Sequence, residues 1–256
     1  MLKGKILNKE KTIGTHVNIA DVSIGKIAGL SGYDFVWLDF EHGYMDYETL
    51  LAQIIAVQGT GTPVVVRAPQ HDLTATKKIV EMGPDGIIFP MVRNAAEVEE
   101  LLSMTLYPPY GTRGFAPMNA IDYGFSDVLH YVRNNHREMC RFIQLEHKEA
   151  IDDLENIMKL EFLDGYIFGP NDLSGSIKEM LDVFGKNTTE LMKRAIAMLK
   201  RENKYIGLST GDISEETIRY WHDMGIDMLS VGSDYDLLRR MMVQNSETLT
   251  RIHKQG

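Results

Sequence analysis

The sequence predicts an α/β fold, a single-domain (β/α)8 barrel over residues 1–256. Short apolar segments alternate with helical patterns eight times without interruption, which is typical of a parallel sheet. The 256 residues match the length of roughly 250 that such a barrel needs. No glycine-rich dinucleotide fingerprint follows the first predicted strand, which disfavours an open, doubly wound sheet as the alternative.

The predicted strands are short apolar or β-branched runs bounded by glycine, proline or charged residues. The clearest is VVVR, which is continuous and follows Pro63. Continuous apolar runs fit strands that are buried on both faces, as in an all-parallel sheet. The eight predicted strands cover residues 13–19, 35–40, 64–67, 86–90, 139–146, 165–169, 205–208 and 228–231.

The helices are predicted from apolar faces and from residues that can cap a first turn. Asp21, Asp46, Asp72 and Asn94 each precede a helical pattern and can accept a hydrogen bond from its backbone. An irregular loop, YPPYGTRG, follows the helix predicted at 95–102 and covers residues 107–114. The predicted helices cover residues 22–30, 47–57, 73–82, 95–102, 128–136, 150–159, 186–202, 214–224 and about 234–252.

The composition excludes several classes of protein. A hydrophobic fraction of 44% is that of a globular chain with a core. The formal net charge of −9 disfavours nucleic acid as a partner, because phosphate contacts need clustered Lys and Arg. No apolar run approaches a membrane span, and we see no secretory signal. The single cysteine, Cys140, fits a cytoplasmic setting and a buried apolar position.

Polar side chains stand at the ends of four predicted strands, where a buried apolar run stops. In a barrel of parallel strands these ends meet at one rim, which is where active sites lie. The stretch FVWLDFEH shows the pattern most clearly, because ionisable residues follow four apolar ones. We therefore expect these side chains to converge. They are Asp39, Glu41 and His42, then Arg67, then Gln144 and Glu146, then Asn171 and Asp172.

Glu146 and Asp172 stand at adjacent strand ends, which leaves three interpretations open. Two carboxylates with room for water suit Mg²⁺ or Mn²⁺. Each can instead cap the following helix, or the two can act as a general acid and base. An arginine and a histidine at the same rim favour the metal site, because this set suits an anionic, oxygen-rich substrate. Arg113, in the loop YPPYGTRG, can bind an anion or hold that loop in place.

Seven segments of the chain form an ordered set that extends over nearly its whole length. The segments are DFEH, VVRAP, GIIFPMVRNAAE, YPPYGTRG, FIQLE, IFGPNDLS and SVGSDYDLL. In this order they resemble those of the class II pyruvate-dependent aldolases of the HpcH/HpaI type, within the phosphoenolpyruvate/pyruvate barrel superfamily. The combination of GPNDLS with an upstream QLE is itself fairly specific, and the ordered set is more specific than any one segment.

The resemblance implies a TIM barrel that binds a divalent metal ion, Mg²⁺, Mn²⁺ or Co²⁺, through Glu146 and Asp172. Gln144 lies close to the metal, through water. Arg67 contacts the keto oxygen of pyruvate and, together with the metal, stabilises the pyruvate enolate. No predicted strand end carries a lysine for a Schiff base, which disfavours the class I aldolase mechanism.

The resemblance further implies that His42, oriented through Asp39, is the acid–base group that moves the proton of the aldol hydroxyl. Backbone amides around Asn171 and Asp172 cradle the substrate carboxylate. Glu41 supports either the metal-bound water or the neighbouring arginine.

The implied reaction cleaves a 4-hydroxy-2-oxo acid, such as a 2-keto-3-deoxy sugar acid or a 4-hydroxy-2-oxo-dicarboxylate, to pyruvate and an aldehyde. A CoA-thioester lyase of the citrate-lyase-like branch and a non-catalytic oxo-acid-binding barrel are the alternatives. The resemblance also implies a homo-oligomer, often a hexamer built as a trimer of dimers that exchange their last helix.

Two departures from the family pattern bear on the substrate. His16 stands where members often carry tryptophan beside the pyruvate site, and with Asn18 it makes the pocket more polar. After YPPYGTRG members are rich in small residues, whereas this chain has Phe115, Met118 and Tyr123. That segment, or a neighbouring subunit's, shapes the aldehyde pocket in the family. The identity of the aldehyde therefore stays open.

Overall fold

The computed structural model describes residues 1–254, and its centre is a closed barrel of eight parallel strands. Each strand pairs with the next in chain order and the last pairs with the first, which confirms the predicted (β/α)8 barrel. The strands are β1 (Thr12–Val17), β2 (Phe35–Asp39), β3 (Val64–Arg67), β4 (Gly86–Phe89), β5 (Cys140–Leu145), β6 (Gly165–Phe168), β7 (Ile206–Thr210) and β8 (Met228–Ser233).

Helices surround the barrel, and four of them begin where their capping residues predict. The side chains of Asp21, Asp46, Asp72 and Asn94 accept backbone N–H groups in the first turns that follow them. Within residues 1–254, no helix has both the length and the apolar character needed to cross a membrane. The helices are α1 (Leu2–Leu7), α2 (Val22–Leu30), α3 (Tyr47–Gln58), α4 (Leu73–Glu81), α5 (Ala95–Ser103), α6 (Val128–Glu138), α7 (Lys148–Asp152), α8 (Leu154–Ile157), α9 (Pro170–Ser176), α10 (Lys186–Arg201), α11 (Glu215–Asp223) and α12 (Asp234–Leu249), with a 3-10 helix at Asn119–Gly124 and a π-helical turn at Thr250–Lys254.

The helical prediction differs from the structure in two ways. The helices α1 and α9 and the 3-10 helix fall outside the prediction, because each is too short to show a helical apolar period. The helix predicted at 150–159 is divided into α7 and α8 at Asp153, whose φ of −96° and ψ of 9° interrupt it.

Alternate residues along the strands point into the barrel and form a layered interior. The lower layer is apolar, and above it the next inward positions are Asp39 on β2, Arg67 on β3 and Gln144 on β5. The same period-two rule that fills the core therefore aims these polar side chains at the carboxyl end of the barrel. The apolar layer includes Phe35, Trp37, Val65, Ile88, Phe142 and Ile167.

The opposite end of the barrel is closed by α1. Leu2 and Ile6 are buried in the same cluster as the apolar layer. Lys3 forms a 2.5 Å ion pair with Asp164, which ties the helix to the segment before β6. Because α1 covers this end, the barrel interior is reached from the carboxyl ends of the strands.

Arg141 on β5 is a fully buried cation outside the barrel's polar layer. Its guanidinium donates hydrogen bonds to the Thr105 hydroxyl at 2.6 Å, to the Met139 carbonyl at 3.0 Å and to the Asn135 side-chain oxygen at 3.0 Å. Burial lowers the pKa of Arg141 to about 10. These acceptors stabilise the buried guanidinium, and without it they would lose a hydrogen-bond donor.

Arg141→Ala should lower the free energy of unfolding by about 3–5 kcal/mol, because buried acceptors lose their donor and a cavity forms. Urea denaturation followed by circular dichroism measures the change. Arg219→Ala is the control: this arginine pairs with Glu215 on the surface with 68% of its side chain exposed. Its loss should cost less than about 0.5 kcal/mol. Equal effects of the two substitutions would contradict a structural role for Arg141.

Candidate active site

A cavity of about 480 Å³ opens among the carboxyl ends of the strands, and most of the predicted site residues line it. Glu41 contacts Arg67 at its edge, whereas Arg113 is elsewhere in the fold. The strand ends therefore converge as the barrel geometry requires. The predicted residues that line the cavity are His16, Asp39, His42, Arg67, Gln144, Glu146, Asn171 and Asp172.

Arg67 is held at the centre of this polar layer. Its Nε and Nη2 donate to the two oxygens of Asp39, at 3.0 and 2.5 Å, in a two-point ion pair between neighbouring strands. Its Nη1 lies 3.2 Å from Glu41 Oε2 and donates to Gln144 Oε1 at 3.3 Å. The guanidinium also lies 5.5 Å from the Trp37 ring. These contacts fix its plane and direction.

The titration of Asp39 and Glu41 follows from their burial and from this guanidinium. Burial raises the pKa of Asp39, but the hydrogen bonds and charge of Arg67 outweigh it and hold the pKa below its usual value. Burial raises the pKa of Glu41, and Arg67 only partly offsets this. Asp39 is therefore the stronger anionic partner of the arginine.

The orientation of His42 differs from the expectation. Asp39 Oδ1 accepts the backbone N–H groups of Glu41, at 3.1 Å, and His42, at 3.2 Å, so it does not contact the imidazole. The carboxylate beside the ring is Glu41, with Oε2 at 3.7 Å from His42 Nε2. The difference arises because β2 ends at Asp39 and the chain turns, which carries a 65% exposed imidazole to the rim.

Glu146 is a buried carboxylate with fixed geometry. Its Oε1 accepts a hydrogen bond from Gln144 Nε2 at 2.5 Å, and its Oε2 accepts one from the Met91 backbone N–H at 3.1 Å. Burial raises the pKa of Glu146 to about 8; Arg67 opposes this rise and the negative charge of Asp172 adds to it. Gly169 is packed so closely that a Cβ there would lie 2.2 Å from Glu146 Oε1.

The donor chemistry at this carboxylate fits a hard divalent cation. Glu146 and Asp172 supply carboxylate oxygens to the same cavity, and each raises the local negative charge felt by the other. Oxygen donors with room for water are what Mg²⁺ and Mn²⁺ prefer. In the part of the chain from 1 to 254, no group of three or more His, Cys, Asp or Glu side chains is able to hold a metal. Any metal here would complete its coordination with water or substrate.

The capping alternative for these two carboxylates is wrong. The residue that caps α9 is Gly169, and Asp172 lies inside that helix in its first turn. The residue that caps α7 is His147, whose side chain accepts the Glu149 N–H at 3.3 Å. Neither carboxylate caps a helix, so both are available to bind a ligand in the cavity.

Arg113 holds its own loop rather than lining the cavity. It is buried, with Nε donating to Glu81 at 3.2 Å and Nη2 donating to the Val80 carbonyl at 3.2 Å and the Tyr131 hydroxyl at 3.0 Å. It also lies over the Tyr107 ring at 4.4 Å. Of the two interpretations, the structure supports the loop-holding one.

His16 is buried in the wall of the cavity, with its ring 4.7 Å from that of Trp37. Sequence reasoning missed Ser209, Thr210 and Tyr235, which line the same cavity. Ser209 and Thr210 end β7 with hydroxyl groups, so the strand-end rule that found the other residues applies to them. Tyr235 carries no comparable signal, because it begins a helix.

The segment expected to shape the aldehyde pocket lies apart from the cavity of its own chain. Phe115, Met118 and Tyr123 are exposed and are not among the residues that line it. Met118 and Tyr123 instead face a second, more apolar cavity of about 650 Å³ beside α3 and α4.

A closed (β/α)8 barrel with a buried arginine, several carboxylates and a histidine at its carboxyl rim has the organisation of a barrel enzyme for small anionic substrates. The family described as HpcH/HpaI aldolase/citrate lyase matches residues 12–240. The chain therefore belongs to that family, and it is a carbon–carbon lyase of the aldolase class. A requirement for a metal fits the family.

The chain is similar along its length to curated aldolases. It is 28% identical over 236 residues to the hydroxypyruvate/pyruvate aldolase of Roseovarius nubinhibens, covering 92% of this chain and 91% of that one. It is 25% identical over 251 residues to the 5-keto-4-deoxy-D-glucarate aldolase of Escherichia coli O6:H1, covering 97% and 96%. A solved HpcH/HpaI aldolase from Desulfitobacterium hafniense shares the fold, with a TM-score of 0.90, 23% identity and coverage of 98% and 97%.

Asp39→Asn should lower the free energy of unfolding by about 3 kcal/mol at neutral pH, because it leaves the Arg67 guanidinium buried with a weaker partner. The folded-state pKa of Asp39 lies below its unfolded value. The stabilisation is therefore present in full above pH about 4 and declines as the pH falls further. Chemical denaturation at several pH values measures the difference between wild type and variant.

Asp223→Asn is the matched control, because this aspartate is 69% exposed and its partner, His222, is exposed as well. Its effect should stay below about 0.5 kcal/mol. A difference for Asp39→Asn that grew as the pH fell would contradict the ion-pair explanation.

Proposed function

We propose that this protein is a divalent-metal-dependent aldolase that cleaves a 4-hydroxy-2-oxo acid to pyruvate, or a close analogue of it, and an aldehyde. One observation carries the proposal: Gln144 connects a fixed guanidinium to a buried carboxylate in one small cavity. It accepts from Arg67 at 3.3 Å and donates to Glu146 at 2.5 Å. A keto oxygen between Arg67 and a cation held by Glu146 would meet positive charge from both sides. The names of the similar aldolases support the same substrate class.

The chain's own groups would bind and orient the oxo acid. A dication bound by Glu146 and Asp172 supplies Lewis-acid polarisation of the substrate oxygens. Arg67 donates to the keto oxygen from a position that Asp39 has already fixed, so little reorganisation accompanies the build-up of charge. Backbone N–H groups of Asn171 and Asp172, in the first turn of α9, would bind the substrate carboxylate.

His42 moves the proton in this scheme. It takes the proton of the C4 hydroxyl as the C3–C4 bond breaks, so that C4 becomes the aldehyde carbonyl and the bonding electrons pass into the enolate. The same proton returns to C3 and gives the methyl group of pyruvate. Glu41 Oε2 lies 3.7 Å from His42 Nε2, so this carboxyl group is beside the imidazole during both steps.

We place the protein in the cytoplasm, because its single cysteine is free and buried and fits a reducing compartment. Mg²⁺, Mn²⁺ and Co²⁺ are the metals we propose, with oxygen donors favouring the first two. The partners are the oxo acid, the aldehyde and further copies of this chain.

Release of pyruvate from 4-hydroxy-2-oxo acids should stop in EDTA and return when Mg²⁺, Mn²⁺ or Co²⁺ is added. Arg67→Ala should lower kcat/KM by roughly 10²–10³, the usual effect of removing a donor to a developing oxyanion. A coupled lactate dehydrogenase assay measures the pyruvate. Arg201→Ala, at the end of α10, is the control and should keep wild-type activity. Full activity in EDTA would contradict the proposed metal dependence.

We further propose that two copies of the barrel exchange α12 and that three such dimers form a hexamer. None of the residues of α12 is buried, although one side of the helix is apolar. Asp234, in its first turn, accepts the backbone N–H groups of Asn18 and Ile19, at 3.0 and 2.8 Å. The helix is thus attached to the barrel at one end. Its apolar stripe consists of Tyr235, Leu238, Met241, Met242 and Leu249, all exposed.

The barrel surface supports this exchange. In a (β/α)8 barrel each strand is followed by a helix of the outer ring, so the helix after β8 belongs over β8 and β1. Here Ile13 on β1 is 52% exposed, and Val22, Ile27 and Leu30 on the neighbouring α2 are exposed as well. The α12 helix of a second copy would cover this surface and bury its own stripe.

Replacing Leu238 and Met242 together by glutamate should convert the oligomer into a monomer of 29.0 kDa, because both charges would enter the apolar contact. Size-exclusion chromatography with light scattering measures the mass. Gln244→Glu, on the same helix but outside the stripe, should leave the assembly intact. A wild-type protein that runs as a monomer would refute the exchange.

A further inference from the structure

Asn18 stands directly after β1 and connects the first turn of α12 to the ion pair of Arg67 and Asp39. Its side-chain Nδ2 donates to Asp39 Oδ2 at 2.9 Å. Its backbone N–H donates to Asp234 Oδ2 at 3.0 Å, and the N–H of Ile19 donates to the same oxygen at 2.8 Å. One short segment of the chain is therefore bonded to a carboxylate of α12 and to a carboxylate of the active site.

Asp39 is held from both sides of its strand. A carboxylate only accepts hydrogen bonds, so the amide nitrogen of Asn18, and not its oxygen, faces Asp39. From β3, on the other side of β2, Arg67 Nη2 donates to the same Oδ2 at 2.5 Å and Arg67 Nε donates to Oδ1 at 3.0 Å. The oxygen that Asn18 contacts is thus one of the two that orient the guanidinium.

The direction of the Arg67 guanidinium depends on the rotation of the Asp39 carboxylate. The torsion that turns a carboxylate has broad minima, so its angle is set by the donors around it. Because Arg67 binds both oxygens, a rotation of the carboxylate also turns the plane of the guanidinium. The backbone N–H groups of the turn after β2 hold Oδ1, and Asn18 holds Oδ2.

We propose that Asn18 is a positioning residue that holds the Asp39 carboxylate, and through it the Arg67 guanidinium, in the orientation that the first turn of α12 sets. The proposal rests on the proposed function, in which Arg67 donates to the keto oxygen. A donor to a developing oxyanion is effective only when its direction is fixed before the reaction. Asn18 therefore affects the rate through Arg67 and needs no contact with the substrate.

Asn18→Asp tests the donor, because it keeps the shape of the side chain and places a second carboxyl group beside Asp39. When ionised, the new carboxylate cannot donate and repels Asp39; when protonated, it donates as the amide did. The charge of Asp39 raises the pKa of the new group. Arg67, Asp234 and the ring of His16, whose pKa is lowered to about 4, surround position 18 in both proteins, so the ratio of variant to wild type isolates the new group.

The kcat of Asn18→Asp for pyruvate release should be roughly tenfold below wild type at about pH 8, which corresponds to about 1.4 kcal/mol. The ratio to wild type should rise toward one as the pH falls to about 5. Reactions contain saturating Mg²⁺ and are quenched before pyruvate is measured at one common pH. Asn8→Asp is the matched control: Asn8 Nδ2 also donates to a carboxylate, Glu10 Oε1, at 3.2 Å, but on the surface. It should keep the wild-type kcat throughout.

A double-mutant cycle tests whether Asn18 acts through Arg67. Asn18→Ala should lower kcat roughly tenfold in the wild-type background. In the Arg67→Ala background the same substitution should change kcat by less than about twofold, because the group that it positions is gone. Losses that multiply would overturn the proposal, since they would show that Asn18 acts independently of the arginine.

The contribution of α12 is tested at Asp234. Asp234→Ala frees the backbone of Asn18 and should lower kcat about as much as Asn18→Ala, with little further loss when the two are combined. Asp236→Ala is the matched control, because this aspartate lies in the same turn but pairs with Arg239 and Arg240 of α12 itself. A wild-type kcat in Asp234→Ala would overturn the role of α12.

Two further outcomes overturn the positioning role of Asn18, although the proposed function stands. A ratio of Asn18→Asp to wild type that does not change with pH means that donation to Asp39 is not required. A loss in Asn18→Ala that depends on which aldehyde is released assigns Asn18 to contact with the substrate.

If wild type releases no pyruvate, the proposed function fails, and chemical denaturation of the metal-free proteins decides whether Asn18 holds Asp39. The new carboxyl group of Asn18→Asp has a folded-state pKa above its unfolded value, so its stability relative to wild type is highest below about pH 4 and declines as the pH rises. A relative stability that is independent of pH would overturn the contact as well.

Discussion

The buried guanidinium of Arg67 is the charge around which the upper layer of the barrel is arranged. Taking it out of water is costly unless carboxylates surround it, and Asp39 and Glu41 meet that requirement from the neighbouring strand end. With the arginine so paired, the carboxyl groups of Glu146 and Asp172 remain available to another cation in the same cavity. The demand for charge balance in a buried site thus links the arginine to the proposed metal site.

The apolar layer beneath gives this arrangement its rigidity. Trp37 separates Phe35 from Asp39 along β2 and also lies beside both the guanidinium and the His16 ring. Asp39, Arg67 and Gln144 each stand two positions after a core residue on their own strand. The same strands therefore hold the core and the site, which places the polar groups on rigid elements. A substitution in the lower, apolar layer would therefore change the positions of the polar side chains in the upper layer.

The sequence predicted the polar side chains that strands place at the rim. It did not predict the contacts of side chains whose orientation depends on a loop. Asp39 and Arg67 were predictable, because period two and the end of an apolar run are local features. The partner of the His42 ring was not, since the turn after β2 places Glu41 there instead of Asp39. Arg113 was ambiguous for the same reason: its partners Glu81 and Tyr131 lie 32 and 18 residues away.

The sequence by itself determined the eight βα units, their order and the set of polar residues delivered to one rim, because alternation and capping act over a few residues. Only the tertiary structure decided which of those residues contact each other. It paired Arg67 with Asp39, left α12 without cover in its own chain, and joined His16 to Ser209 across 193 residues. Such contacts depend on closure of the whole barrel, which brings β1 beside β8 and near β7.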